Sequence, residues 1–592
     1  MVLTFILIGA ICVIWLALVL APCMNNGLIS FLNQISEVDY FNITFSSNSI
    51  KIVFLFLLVY FLCITYYLST KKNYRRKVEY GSAKWGNIKN INRKYKQSAV
   101  SNNLILTSQV RLGLNGMKHR RNLNVLVIGG SGAGKTRFYC KPNIMQCNSS
   151  YIILDPKGEL IRSLGSLLEE RGYNVKVLDL INMDKSNGYN PFVYFQTDND
   201  IQRLVTSYFK ATTPKNSSSN DPFWDTAAQM LFSALIYYLW YEAPAEEQNF
   251  DMVMEMLRAG EVKEDDDYYL SPLDILFNQL EARDSEHIAV KYYKNYRSGS
   301  AKTLKSIQIT LASRLEKFNI PEFAFLTMFD ELNLTSIGER KTALFAIIPD
   351  NDTSFNFLIS ILYTQLFQQL FFLADNKYHG SLPINVHFVM DEFANVSLPD
   401  DFDKILSVMR SRNVSVSIIL QNLSQLKSLF EKQWESIVGN CDTFLYLGGN
   451  EQSTHKYVSE LLGKETIDFD NHSKSLGQSS SYSTNYQATG RELLTPEEVR
   501  MLNNDKVVLF IRGEAPIIDS KYDITKHPNY KNIADSNKKI YEYGDSDRAI
   551  ATISIDTSNN SSNLETFKVS ENSDYYLISS EELEDFFMKG MM

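Results

Sequence analysis

The sequence predicts an α/β fold: a mostly parallel sheet with helices on both faces, an inserted all-α domain, and two apolar helices ahead of it. Three observations carry this. Short apolar runs rich in β-branched residues alternate with helical patterns through most of the chain. That rhythm breaks across residues 197–333, where helix follows helix. Two long apolar runs precede all of it. At 592 residues the chain is too long for one compact core, so several domains are expected.

The first apolar run covers residues 1 to about 21 and has no charged side chain. The second covers residues 50 to about 68, with Lys51 only at its edge. Each is close to the ~20 residues that cross a hydrocarbon core. The first lacks the basic start and A-x-A site of a cleaved signal peptide, so it reads as an uncleaved span. Lys71, Lys72, Arg75, Arg76 and Lys77 crowd behind the second run, whereas the loop between the runs has Glu37 and Asp39. A basic flank of this kind stays in the cytoplasm. The expectation is a two-span protein of the plasma (inner) membrane, with both termini and the large soluble body cytoplasmic.

The formal net charge is −8 and the pI about 5.6, so no overall basic bias points to nucleic acid. Any such contact must come from a local basic lining or from a pore built by several copies. Six cysteines are scattered, with no C-x-x-C pair and no Cys/His cluster. They read as reduced thiols used as small hydrophobes, not as a disulfide framework or a zinc site.

Strands are expected at 151–154, 175–178, 343–348, 386–390, 414–420, 443–447 and 507–511. Helices are expected at 224–241 and 301–318, with polar or acidic breaks at 215–220 and 264–267. The Ser/Asn/Gln-rich stretch 471–489 reads as a mobile loop. The domain reading is an anchor (1–70), a nucleotide-binding domain in two parts (71–196 and 334–530), the all-α domain (197–333), and an acidic, partly disordered tail (531–592). The tail closes on Glu581-Glu582-Leu583-Glu584-Asp585-Phe586-Phe587, which suits a docking motif.

The chemistry begins where the apolar run 124–128 leads into Gly129-Gly130-Ser131-Gly132-Ala133-Gly134-Lys135-Thr136. This is the G-x-x-x-x-G-K-T pattern of a strand–loop–helix phosphate grip. Its glycines let successive N–H groups turn inward around a polyphosphate. Lys135 would put a point charge on the outer phosphates, and the Thr136 hydroxyl would ligate Mg²⁺. The helix that follows adds its N-terminal dipole. Downstream, Val386-His387-Phe388-Val389-Met390 ends in Asp391-Glu392, two acids at the carboxyl edge of a strand. Asp391 would hold the Mg²⁺ shell, and Glu392 would act as base for the water that attacks the γ-phosphate. ATP and Mg²⁺ are the expected cofactors. A helix after these acids carries Arg410 and Arg412, and the next strand ends in Leu420-Gln421-Asn422. Gln421, level with the phosphates, would sense the γ-phosphate; Arg410 would cross a subunit boundary as an arginine finger.

Seven motifs then follow in a fixed order. They are Gly81-Ser82-Ala83-Lys84-Trp85, Asp155-Pro156-Lys157-Gly158-Glu159, Tyr189-Asn190-Pro191-Phe192 and Asp221-Pro222-Phe223-Trp224. After them come Asp391-Glu392-Phe393, Gln421-Asn422-Leu423-Ser424-Gln425-Leu426 and Leu493-Leu494-Thr495-Pro496-Glu497-Glu498. In this order the chain resembles the type IV coupling proteins of bacterial conjugation, the TraG/TraD-type membrane ATPases, up to about residue 530. The resemblance implies a RecA-like P-loop ATPase domain, a helical domain facing the cytoplasm and a homohexameric ring with ATP at subunit interfaces. It implies a coupling of relaxase-bound single-stranded DNA (the relaxosome) to type IV secretion channel proteins by ATP hydrolysis. The family's site residues map by motif and spacing onto Lys135, Thr136, Asp391, Glu392, Arg410 and Gln421, with Arg412 a near neighbour of the finger. A coupling receptor for protein-only secretion is the alternative.

Asp155 is expected to end a strand next to the phosphate-loop strand. Lys157 and Glu159 are read either as hydrogen-bonding across a subunit joint or as part of a plain β–α turn capped by Asp155. One departure stands out: where relatives tend to have Asp-x-x-Thr-Ala, this chain has Asn450-Glu451-Gln452-Ser453-Thr454.

Overall fold

The computed structural model describes residues 2–26, 47–70, 78–213, 223–263, 269–396, 398–399, 401–475 and 481–544, with isolated positions 38, 43 and 45. A short antiparallel pair, β1 (Asn103–Ile105) and β2 (Arg111–Gly113), comes first. Then follow β3 (Val125–Ile128), β4 (Ser150–Pro156), β5 (Asn174–Asp179), β6 (Thr342–Ile348) and β7 (Val386–Met390). The chain continues through β8 (Val414–Leu420), β9 (Thr443–Tyr446), β10 (Lys464–Ser475), β11 (Ser481–Glu492), β12 (Lys506–Ile511) and β13 (Ile517–Ser520). Nine of these form one sheet in the order β13-β12-β9-β3-β8-β7-β4-β6-β5. The seven strands from β9 to β5 are parallel, and β12 and β13 extend the sheet antiparallel. Every expected strand is present, with its bounds moved by at most two residues.

The parallel strands are buried on both faces, which is why they read as continuous apolar runs. Leu126 and Ile128 enter one core, and Val125 and Val127 the other. Asp155 is not on a neighbour of the phosphate-loop strand: β8 and β7 stand between β3 and β4. The crossover from β3 to β4 skips two positions that later strands fill, so nearness in sequence misleads here.

Between β5 and β6 the described chain is helical and holds no strand. Its helices are Asp198–Thr212, Phe223–Glu242, Phe250–Ala259, Pro272–Arg283, Ile288–Arg297, Ala301–Arg314 and Pro321–Leu326. Local sequence explains their starts. Thr197 with Asp200 and Ser271 with Asp274 form capping boxes, and Pro272 occupies the first turn, where its missing N–H costs nothing. The expected helix 301–318 is split, because the α-turns end at Arg314 and a 3₁₀ turn, Glu316–Asn319, follows. The breaks at 215–220 and 264–267 lie outside the described residues. An aromatic core fills the stretch: Phe250 stacks on Phe318 at 4.3 Å and meets Phe192 edge-on at 5.5 Å. The same core includes Leu126 and Ile128, so the helices rest on one face of the sheet.

The two N-terminal apolar helices are Val2–Leu20 and Ser49–Thr70. They touch along Ala17, Ala21 and Ile52, and Tyr60 Oη donates to Ile6 O at 2.9 Å. Gly9 lies against the hydroxyl end of Tyr60, where any Cβ would collide; small residues of this kind let apolar helices approach closely. Their outer faces expose Leu7, Ile8, Ile11, Phe54, Leu58 and Leu62. A third helix, Asn356–Asn376, is also long and apolar, but it is mostly buried within the body and is a core helix.

Two expectations need correction. Within the stretch 471–489, residues 471–475 and 481–489 belong to an antiparallel pair, β10 with β11, in register from Lys464↔Glu492 to Ser475↔Ser481, and residues 476–480 lie outside the described residues. Its composition suggested a loop, but hydroxyl and aromatic residues such as Thr466, Thr484 and Tyr486 also suit an extended ladder. Residues 531–543, assigned to the tail, lie on the body instead. Asp535 accepts from Ser163 Oγ at 2.7 Å and from Lys141 Nζ at 2.9 Å, and Tyr543 Oη donates to Asp179 at 2.7 Å. The acidic composition that marked a tail begins beyond these contacts; residues 545–592 lie outside the described residues.

Candidate functional site

The phosphate loop leaves the end of β3, near the middle of the sheet. Gly134 has φ +79° and faces the Phe138 ring, so a side chain there meets both a strained backbone and a clash. Lys135 Nζ donates to Gly129 O at 2.9 Å and reaches Gly130 O at 3.5 Å, which folds it over the mouth of the loop. The following turn, Thr136–Cys140, is π-helical, then Lys141–Ile144 is α-helical. Pro142 accounts for the widening: it has no N–H to give, and its ring crowds the carbonyl four residues back. Lys141 N–H bonds Thr136 O, five residues back.

Thr136 Oγ1 donates to Asp391 Oδ2 at 2.8 Å. Asp391 sits just past the end of β7 and is 4% exposed. Its other oxygen, Oδ1, is buried with no hydrogen-bond partner among the described residues. Burial raises the Asp391 pKa, against the pull of the Thr136 hydroxyl and the Lys135 charge. Glu392 has φ +56°; its carboxylate accepts from Asn395 Nδ2 at 3.2 Å and from Gln421 Nε2 at 3.4 Å. The register of β7 with β8, Met390 opposite Ile418, brings Glu392 and Gln421 to the same edge.

A buried polar chain runs beneath these residues. Tyr139 Oη meets Ser417 Oγ at 2.7 Å, and Ser417 meets His387 Nε2 at 2.9 Å. His387 Nδ1 meets Ser415 Oγ at 2.7 Å, and Ser415 donates to Asn385 Oδ1 at 3.4 Å. Asn385 Oδ1 can only accept, so one direction satisfies every hydroxyl: Tyr139 to Ser417 to His387 to Ser415 to Asn385. His387 is therefore the Nδ1–H tautomer, and burial holds it neutral with a pKa of about 4.

The remaining expected residues divide. The helix after the acids is Phe402–Met409, and both arginines lie on the 3₁₀ turn Arg410–Arg412 that follows it. Arg412 is engaged in its own chain, bonding Asp375 at 2.7 Å and lying over Phe371. Arg410 is exposed and makes no ion pair among the described residues. It precedes β8 while Gln421 follows it, so the two are separated by the full strand, roughly 23 Å at ~3.3 Å per residue. Arg410 is thus not brought into its own chain's loop site.

Asp155 accepts from Leu160 N at 3.0 Å and Ile161 N at 2.8 Å, capping the helix Glu159–Glu170. Burial raises it to about 7 in spite of those two bonds. Lys157 pairs with Asp350 at 2.7 Å, and Glu159 with Lys141 at 3.1 Å, both within the chain. The plain capped turn is the reading the geometry favours. Glu451, beside the departure from the family pattern, caps the helix Gln452–Leu462. Burial would raise it, but bonds from Ser453, Thr454 and Ser424 prevail and hold it at about 2.

Motif reading missed two contributors. Gly448 O accepts from Gly130 N at 2.8 Å, so the loop after β9 seats the start of the phosphate loop. Lys521 reaches Ala133 O from the outside of the loop at 2.9 Å. Glycine pairs and single lysines are too common to signal either role. Three of the other motifs build structure, while Asp221 and Pro222 lie outside the described residues. Tyr189 Oη donates to Gln365 at 2.6 Å, Asn190 ties down Gln248 O, and Thr495 with Glu498 forms a capping box. Tyr80 N and Gly81 N both donate to Thr466, fastening the segment after the second apolar helix to β10.

A buried, half-satisfied carboxylate beside a hydroxyl offers the oxygen ligands a hard divalent cation takes, and the glycine loop with Lys135 suits a polyphosphate. The residues fit Mg²⁺ and a nucleoside triphosphate. A phosphate loop on a central parallel strand, with acids two strands away, defines the P-loop nucleotide-binding class.

Within that class the chain belongs to the family described as Type IV secretory system Conjugative DNA transfer, which matches residues 82–541. It is similar to the conjugal transfer protein TraG of Rhizobium radiobacter, 20% identical over 409 residues, covering 66% of this chain and 60% of that relative. It is similar to protein VirD4 of the same organism, 22% identical over 404 residues, covering 66% of this chain and 55% of that relative. The chain thus spans less than two thirds of the length of these relatives. Among solved structures it shares the fold of the bacterial conjugative coupling protein TrwBdeltaN70 in its unbound form. The TM-score is 0.55 at 17% identity, over 77% of this chain and 94% of that one. It likewise matches plasmid coupling protein TrwB in complex with ADP and Mg²⁺. There the TM-score is 0.52 at 17% identity, over 73% of this chain and 91% of that one.

Proposed function

We propose that this chain is a membrane-anchored ATPase that couples relaxase-bound single-stranded DNA to a type IV secretion channel. The observation that carries the reading is the Thr136–Asp391 contact at 2.8 Å, with Asp391 Oδ1 buried and unpartnered among the described residues. Family membership supports the transfer role, and the TrwB complexes with ADPNP and with ADP and Mg²⁺ support the choice of nucleotide.

In this reading residues 129–136 wrap the phosphates, and Lys135 swings from the loop carbonyls onto the outer phosphate oxygens. Thr136 and Asp391 hold Mg²⁺, which supplies charge neutralisation when bound. Glu392 orients the attacking water and takes its proton. Gln421, already bonded to Glu392, links that carboxylate to the end of β8 and reports whether the γ-phosphate is present. Arg410 acts in a neighbouring subunit's site, in keeping with its exposure and its distance from its own loop. The assembly is a homohexamer with nucleotide at the joints. The two apolar helices anchor it in the plasma membrane, and the basic flank 71–77 sets both termini and the body in the cytoplasm. Residues 71–196 and 334–530 form the motor, and 197–333 the helical domain that faces the cytoplasm.

The test is ATP turnover by the full-length protein in detergent, with and without single-stranded DNA. DNA should raise turnover several-fold. A rate indifferent to DNA, with transfer of protein cargo intact, would favour the protein-only receptor instead.

A further inference from the structure

Lys521 lies one residue beyond β13 and is 8% exposed. Its Nζ donates to Ala133 O at 2.9 Å and stands 5.5 Å from the centre of the Phe138 ring. Its backbone N–H is held by Asp505 O at 2.8 Å, which fixes where the side chain starts. Among the described residues no carboxylate lies within ion-pair distance of its ammonium. The contrast with Lys141, the other lysine of this core, is direct: Lys141 is 5% exposed and bonds both Glu159 at 3.1 Å and Asp535 at 2.9 Å. A buried ammonium with one carbonyl and a ring face in contact, and only the more distant Asp505 carboxylate to offset its charge, is expensive to keep. Burial lowers the Lys521 pKa, against the pull of the Asp505 charge.

The neighbour it does have is the phosphate loop. A peptide unit is planar and trans, so its carbonyl and the next N–H point in opposite directions. Pulling Ala133 O outward aims Gly134 N–H inward. Gly134 holds φ +79°, the conformation that turns loop amides toward an anion. We propose that Lys521 is a positioning residue for the polyphosphate: it clamps the Ala133–Gly134 peptide so that Gly134 N–H faces the phosphates, and their negative charge is its missing counter-ion. The inference rests on the nucleotide-binding reading above and extends it to a residue outside the motifs.

The experiment compares wild type, Lys521→Met and Lys521→Arg as full-length protein in detergent, by thermal unfolding with and without ADP and by ADP titration. Methionine keeps the stem and removes the charge. Without ADP, Lys521→Met should unfold at the same temperature as wild type or higher, because an unpaired buried charge is gone. Its ADP-induced rise in Tm should shrink, and its Kd for ADP should increase about tenfold. Lys521→Arg should recover much of the affinity. A lysine that merely supports the fold predicts the reverse, so a Lys521→Met chain that is less stable without ADP yet shifts as wild type does overturns the inference. So does unaltered ADP affinity. If wild type itself shows no ADP-dependent shift, the nucleotide-binding reading falls, and this inference with it.

Discussion

The phosphate pole of the sheet and the helical stretch differ in how closely their buried charges are paired. In the helices, Asp274 accepts from Ser271 at 2.7 Å and Tyr293 at 2.8 Å and pairs with Arg297 at 3.0 Å. Arg314 bonds Asp225 at 2.9 Å and Thr212 O at 2.6 Å. At the phosphate pole, Asp391 has one oxygen without a partner among the described residues, Lys135 rests on loop carbonyls and Lys521 on another. Satisfied charges hold helices together; under-satisfied ones are held ready for a ligand whose charge completes them. The lesson is that a missing partner marks a candidate site only where several such groups converge, because Asp330 Oδ1 in the helical stretch is also buried without a partner among the described residues.

Substitutions at the two regions should therefore separate. Glu392→Gln keeps the shape of the pole and removes the proposed base, so turnover should fall about 10²- to 10⁴-fold with ADP affinity kept, in a steady-state assay beside a titration. A comparable loss of ADP affinity would mean that Glu392 is a binding group. Phe250→Ala opens the aromatic core of the helices and should cost about 3–5 kcal/mol in denaturant unfolding while changing ADP affinity by less than about threefold. Equal damage to affinity would show that the two regions are not separable.

His387 sharpens the comparison through pH. Its folded pKa is about 4, below the ordinary 6.5, so between those values the unfolded chain binds the extra proton. Stability from this residue is complete above about pH 6.5 and is lost as pH falls toward 4, on the order of 3 kcal/mol. Asp155 and the other acids titrate alike in wild type and variant, so His387→Leu should show the shallower loss over that window. Identical pH profiles would mean the imidazole is not held neutral in the sheet. Gln421→Ala is the smallest change: about tenfold in turnover, with ADP affinity unmoved.

Much of this was legible in the sequence. The strand ending in Met390 and the one ending in Leu420 were readable to the residue, because parallel strands buried on both faces are unbroken apolar runs. The loop residues followed from spacing alone. Sheet order was not legible: the place of β4 depends on which later strands fill the centre, and no local pattern records that. The hairpin β10–β11 was hidden by a polar composition shared with loops. His387 read as one more strand residue, since only its pairing with Ser415 and Ser417 across β8 reveals the buried chain. Arg410 and Arg412 were hard to tell apart until Arg412 was found bonded to Asp375.

The central claim is that nucleotide gripped through Lys135 drives transfer. It is tested most directly by the mating frequency of donor cells whose only copy of this protein carries Lys135→Ala, made to the same level and held in the same membrane. The account predicts transfer at the background of cells without the protein; transfer at the wild-type frequency would contradict it.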